Sequence, residues 1–245
     1  TAEAASNYDE AIRLYGLVIV READFWPAYY KRGEAYSVQE KYQEAIVDYS
    51  SAIDKRSDFS PAYVARAIAY EQLGNHAKAI ADSTKAIELK TNEDFVYFIR
   101  GKAYLATKEF EKSINDFTYW IDLNPKTYPV AYSLRSRAYY AVSNLPATIS
   151  DLDIFIELQP KSALALSNRA YVQRLMGNYD KAISDYTTAI DLKPDGVEDM
   201  YYERGRTYGL QGQYDKMLAD LRIYAKLAGN KADASVLDML KNHPE

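Results

Sequence analysis

Apolar and small residues return along this chain at three- and four-residue intervals, the spacing that places side chains on one face of an α-helix. In Tyr29-x-x-Arg32-Gly33-x-Ala35-Tyr36, the residues Tyr29, Arg32, Gly33 and Tyr36 stand at i, i+3, i+4 and i+7. A second helical stripe follows at Ala45-Ile46-x-Asp48-Tyr49. Short polar turns separate such stripes, among them Leu73-Gly74-Asn75, Met176-Gly177-Asn178 and Gln211-Gly212-Gln213, where glycine can take a left-handed cap. Pro125, Pro160 and Pro194 close three of the second stripes, because proline lacks the amide that would continue a helix. The pattern predicts antiparallel helix pairs from end to end and no strand.

The pairs repeat. The first phrase returns as Tyr63-x-x-Arg66-Ala67-x-Ala69-Tyr70, Tyr97-x-x-Arg100-Gly101-x-Ala103-Tyr104, Tyr132-x-x-Arg135-Ser136-x-Ala138-Tyr139, a weaker copy at Leu166, Arg169 and Ala170, and Tyr201-x-x-Arg204-Gly205-x-x-Tyr208. Successive arginines lie 34, 34, 35, 34 and 35 residues apart. The second phrase follows each time, carrying Asp48, Asp82, Asp116, Asp151, Asp185 and Asp220. One such pair cannot bury its own apolar faces, so neighbours must stack. The small residue of each copy (Gly33, Ala67, Gly101, Ser136, Ala170, Gly205) allows its two helices to approach.

In period and motif the chain resembles the tetratricopeptide repeat (TPR) family over roughly residues 7–231. The resemblance implies an all-α fold, a right-handed superhelical solenoid of antiparallel helix pairs. It divides the chain into a half repeat at 1–25, full repeats at 26–59, 60–93, 94–128, 129–162, 163–197 and 198–231, and a cap at 232–245. No linker rich in Pro, Gly or Ser interrupts the array, so residues 1–245 read as one solenoid domain.

The copies depart from the family in two ways. Each has arginine where the family usually has leucine, and each has an aspartate in the second helix. Across an antiparallel hairpin these positions face one another, so a ladder of internal ion pairs is expected. The half repeat lacks the arginine-bearing helix and has Leu14 at the aspartate position, which favours pairing within a repeat. Trp120, Phe155 and Tyr224 replace the family's alanine. They point either to local repacking or to a changed twist or pocket near the third and fourth repeats, beside the long connection Asn124-Pro125-Lys126-Thr127-Tyr128-Pro129.

Composition narrows the function. A formal net charge of −5 argues against a phosphate backbone as the main partner, so nucleic acid is not expected. There is no cysteine and there are two histidines, His76 at a packing position in a turn and His243 in the C-terminal tail. No zinc spacing, phosphate loop or nucleophile elbow appears, so neither a cofactor nor a metal nor an enzyme activity is expected. No apolar run is long enough to cross a membrane. No signal peptide is visible at Thr1, a cleaved one leaving no trace, and the default expectation is a soluble cytoplasmic protein.

The expected role is a protein–protein interaction scaffold or adaptor. In the family, the first helices line a concave groove that binds peptides. Helical phase then turns Tyr30, Val64, Ile68, Phe95, Phe98, Lys102, Arg137, Tyr140, Tyr171, Arg174, Tyr202 and Arg206 inward. These side chains suit a peptide or helical segment with aromatic or aliphatic anchors and some acidic residues. Within the doublets Tyr29-Tyr30, Tyr139-Tyr140 and Tyr201-Tyr202, the first ring should be buried and the second accessible, as should Phe98 and Tyr171. The chaperone-tail carboxylate clamp of one TPR subgroup is absent, since only Asn168 falls in its register. The alternative is a self-assembling module forming homo-oligomers through its end faces, where Leu14, Leu17 and Val18 make an apolar strip.

Overall fold

The computed structural model describes residues 2–243; Thr1 and the last two residues of the expected cap, Pro244 and Glu245, lie outside the described residues. Among the described residues every regular element is helical, and the chain forms two compact units, residues 1–125 and 126–245. The first contains α1 (Ala2–Arg21), α2 (Trp26–Val38), α3 (Tyr42–Lys55), α4 (Ser60–Gln72), α5 (His76–Glu88), α6 (Phe95–Ala106) and α7 (Phe110–Leu123). The second contains α8 (Pro129–Ala141), α9 (Leu145–Leu158), α10 (Ala163–Leu175), α11 (Tyr179–Asp191), α12 (Val197–Leu210), α13 (Tyr214–Ala228) and α14 (Ala234–Asn242). In each unit every helix packs on the next in sequence. No helix is long and apolar enough to cross a membrane.

Local chemistry explains where the helices stop. The turn inside each repeat places one residue in the left-handed region: Glu40, Gly74, Lys108, Ser143, Gly177 and Gly212. Two residues' worth of backbone then folds back, and the next amide donates to a carbonyl five residues earlier, as Asn75 N does to Tyr70 O at 2.8 Å and Gln213 N to Tyr208 O at 2.9 Å. Glycine adopts this conformation without strain, whereas Glu40, Lys108 and Ser143 hold it against their own Cβ. Pro27, Pro61, Pro129 and Pro146 sit in first turns, where a missing amide costs nothing.

Close approach of paired helices sets the core. A Cβ on Gly33 would stand 2.7 Å from the Tyr49 ring, so only glycine fits there. Ala45, Ala52, Ala67, Ala79, Ala86, Ala170, Ala182 and Ala189 are fully buried, letting Tyr49, Phe117 and Tyr186 fill the spaces between helices. Trp120 is packing: its ring stands 5.1 Å from Phe98. Tyr224 is too, and its hydroxyl accepts the Asp233 amide (3.0 Å), fastening α14, whose Val236 is buried against Leu221 and Tyr224.

The expected ion pairs form in all six repeats. Arg32–Asp48, Arg66–Asp82, Arg100–Asp116, Arg135–Asp151, Arg169–Asp185 and Arg204–Asp220 are each bidentate through Nε and Nη2, at 2.7–2.9 Å. The aspartates are buried, and two-pronged geometry satisfies both carboxylate oxygens. Most arginines also lie between two tyrosine rings. The Arg66 guanidinium is 5.7 Å from the Tyr63 ring centre and 5.9 Å from Tyr70; Arg100 lies between Tyr97 and Tyr104, Arg135 between Tyr132 and Tyr139, and Arg204 between Tyr201 and Tyr208. The third prong reaches back one repeat: Arg66 Nη1 donates to Ser50 Oγ (2.8 Å), Arg100 Nη1 to Thr84 Oγ1 (3.2 Å) and Arg204 Nη1 to Thr187 Oγ1 (2.9 Å). Arg169, flanked by Leu166 and Gln173 instead of tyrosines, donates its third prong to a second carboxylate, Asp153 Oδ1, at 2.7 Å.

Candidate protein-interaction surface

Three residues before each small helix-contact residue stands Tyr30, Val64, Phe98, Ser133, Ser167 or Tyr202, and immediately after each ladder aspartate stands Tyr49, Ser83, Phe117, Leu152, Tyr186 or Leu221. In the N-terminal unit these positions fill one another. Tyr30 is half-buried, 5.8 Å from Tyr49 and edge-on to Phe59 at 5.0 Å. Phe98 meets Phe117 at 5.7 Å and stacks on Phe95 at 5.2 Å. The second repeat has no ring at either position, but Tyr30, Phe59 and Ile68 pack against the core cluster that contains Val64. Two expected surface residues are therefore core: Val64 is 1% exposed and Phe98 4%. Val64 lies in a cluster with Tyr30 and Phe59, and Phe98 is covered by Phe95, Phe117 and Trp120. Ile68 is half-buried and Phe95 remains at the surface. Lys102 is held by Glu71 at 3.2 Å, and Glu71 also meets His76 Nδ1 at 2.8 Å, so this histidine has a polar partner beyond packing.

The C-terminal unit differs at its first repeat. Ser133 and Leu152 occupy both ring positions of the fourth repeat, and a cleft of about 540 Å³ opens between α8 and α10 above α9. Buried Leu152 and Val172 form its floor together with Ser136 and Thr148. The Ser136 hydroxyl donates to Ser133 O (2.8 Å) and the Thr148 hydroxyl to Asn144 O (2.9 Å), so neither has a hydrogen left to offer. The rim carries Leu164 (69% exposed), Tyr140 (41% exposed), Arg137 and Asn168. Tyr140 meets half-buried Tyr171 edge-on at 6.2 Å, and the Arg174 guanidinium covers Tyr171 at 4.9 Å.

Charge along this face is unevenly matched. Glu203 accepts Arg174 at 2.9 Å and Arg206 at 3.5 Å. Arg206 also lies over the half-buried Tyr202 ring, which packs 5.0 Å from Tyr224. Tyr186 lies beneath Arg174, and burial holds its phenol well above the ordinary value, Glu203 adding to the shift and Arg174 opposing it. Arg137 has no carboxylate partner among the described residues, and it is exposed.

With this geometry in hand, likeness to known proteins is informative. The tetratricopeptide repeat family model matches residues 1–61, 60–93 and 163–195. The chain belongs to the tetratricopeptide repeat family. A comparison with curated proteins returns no match. Among solved structures, the TPR fold seen here is similar to the C-terminal part of a TPR repeat-containing protein from Cytophaga hutchinsonii (TM-score 0.74, 18% identity, covering 95% of this chain and 94% of that one). It is also similar to YrrB, described as a TPR protein with an unusual peptide-binding site (TM-score 0.68, 18% identity, 74% and 93%). A third is MamA from Desulfovibrio magneticus RS-1 (TM-score 0.64, 16% identity, 69% and 94%).

Within this TPR protein the tyrosine doublets follow a rule different from the expected one. Tyr29, Tyr139 and Tyr201 are half-buried rather than buried, each lying against a ladder arginine. Their partners Tyr30 and Tyr202 are half-buried as well, and Tyr140 alone of the three second rings is exposed. The sequence signal for the arginine cradle was present in the spacing, tyrosine three before and seven-residue return four after the arginine. Leu152, Thr148 and Val172, the cleft floor, carry no signal by residue type; only comparison across repeats marks Leu152 as a missing ring. The cleft lies in the fourth and fifth repeats, not at the third and fourth.

Proposed function

We propose that this protein is a non-catalytic interaction module that holds a short segment of another protein against the inner face of its C-terminal unit, centred on the cleft between α8 and α10. The observation that carries this reading is the cleft itself. Where other repeats close the inner face with rings or a packed valine, Ser133 and Leu152 leave an apolar floor open beneath exposed Leu164 and Tyr140. An open apolar recess with a polar rim is the usual shape of an anchor pocket, and one buried anchor there contributes about 2 kcal/mol or more to an interface. Tyr140, Tyr171 and Arg137 line the cleft and suit an aliphatic or aromatic anchor with an acidic neighbour. The likeness to YrrB, a TPR protein with an unusual peptide-binding site, supports a peptide as the class of ligand.

The test is selection from a displayed library of random short peptides, run in parallel on the wild-type protein and on Ser133→Phe, which restores the ring that the third repeat carries as Phe98. Peptides enriched on the wild type and lost from Ser133→Phe, with unchanged helical circular dichroism, are the expected result. Equal enrichment on both would overturn the assignment.

A further inference from the structure

Four cations were expected along the inner face, and three of them are already matched: Lys102 by Glu71, and Arg174 and Arg206 by Glu203. Arg137 is different. It is exposed, has no carboxylate among the described residues, and lines the same cleft as the aliphatic floor of Leu152 and Val172. The floor offers no hydrogen-bond donor, because the Ser136 and Thr148 hydrogens are both given to backbone carbonyls. A polar group placed there would lose its water and gain little. The protein as a whole is acidic, at −5, so an unmatched guanidinium beside an apolar recess is a local reversal of sign. Such a site attracts anionic segments and disfavours cationic ones.

We infer that Arg137 sets the chemistry of the bound segment: an aliphatic side chain enters the cleft, and an aspartate or glutamate next to it, or one residue further along, pairs with Arg137. The inference rests on the cleft being the binding site. The spacing follows from size. Anchor pocket and guanidinium belong to one cleft, and an extended chain advances roughly 3.3–3.6 Å per residue, so one or two residues span them. Because Arg137 stands at the solvent edge, its pairing stays sensitive to salt, and selectivity follows from what repels as much as from what binds. Arg137→Glu therefore converts the requirement from an acidic to a basic neighbour while leaving the aliphatic requirement in place.

The probe is again the displayed random-peptide library, applied to the wild type, Ser133→Phe and Arg137→Glu. Cleft-dependent wild-type peptides should share an aliphatic residue with Asp or Glu one or two positions away, and Arg137→Glu should select Lys or Arg at that position. For one synthetic hit, Glu→Gln should weaken binding at least about tenfold on the wild type and have little effect on Arg137→Gln, a non-additive cycle. Cleft-dependent peptides with no acidic preference, or an additive cycle, would overturn the inference and leave the proposed function standing. Absence of any cleft-dependent peptide would overturn both.

Discussion

The residue three before the small helix-contact position is Tyr30, Val64 and Phe98 in the N-terminal unit, and Ser133, Ser167 and Tyr202 in the C-terminal unit. The frame around these positions is the same in both. Each repeat carries its bidentate arginine–aspartate pair, and each has a small residue where the helices meet. What changes is the inner face. In the N-terminal unit it is closed by stacked rings, with Glu34 and Glu71 matching Lys31 and Lys102. In the C-terminal unit it is open at Ser133 and basic at Arg137. A polar ladder and small contact residues define the hairpin, so the groove-facing residues are free to diverge without altering how the repeats stack.

That contrast can be broken most directly at Phe98 and Tyr140, which share the inner face but not its depth. Phe98→Ala should cost about 3–5 kcal/mol, as removal of a buried ring does. Tyr140→Ala should change stability by under about 0.5 kcal/mol and instead weaken peptide binding at least about tenfold. Urea melts of both variants, with peptide titrations, would show whether depth or position governs; equal stability losses would erase the distinction.

The shared frame is tested next. Arg100→Leu in one unit and Arg135→Leu in the other should each cost about 3 kcal/mol, because a buried aspartate is left without its partner. Changing arginine and aspartate together should cost less in both units, and simple additivity in a double-mutant cycle would refute the pairing.

Alkaline pH probes the closed face. Burial pushes the Tyr49 phenol up to about 12, with the Ser37 hydroxyl opposing and Glu34 and Asp48 adding. In the unfolded chain a tyrosine ionises near about 10. The stability held by the neutral phenol is thus complete below about 10 and is lost as pH rises from there through about 12. Thermal melts across that window should show a falling Tm that Tyr49→Phe flattens.

The smallest effect belongs to the turns. Lys108→Gly in the N-terminal unit and Ser143→Gly in the C-terminal unit relieve a left-handed residue, and each should stabilise by about 1 kcal/mol. Chemical denaturation giving no gain in either would mean the side chains compensate for the strain.

The sequence made the frame legible because its signals are local and periodic. Arg32 and Asp48 lie one hairpin apart, and their recurrence, with Leu14 in the half repeat as the exception, predicted the pairing that the structure contains. The burial of the expected groove residues was not legible. Phase turns Val64 and Phe98 inward, but whether they are reached by solvent depends on Tyr30, Phe117 and Trp120, which arrive from other helices. The excess of tyrosine had a reason that spacing alone did not state: a guanidinium needs faces to rest on, and Arg169, which lacks them, takes a second carboxylate.

The third prong of four ladder arginines, Arg66, Arg100, Arg169 and Arg204, gives the array a sense of direction. Within a unit, the donor always belongs to the later repeat and the acceptor to the earlier one: Ser50, Thr84, Asp153 or Thr187, each two residues beyond a ladder aspartate. The contacts therefore run in one sense, from each later repeat back to the one before it. In the sixth repeat the same position is Arg222, itself a donor, which reaches His243 O at 2.9 Å. An arginine-bearing helix set beside it would meet a like charge, whereas the carbonyl at the end of α14 meets a match. One side chain thus distinguishes α14 from the arginine-bearing helices of the repeats.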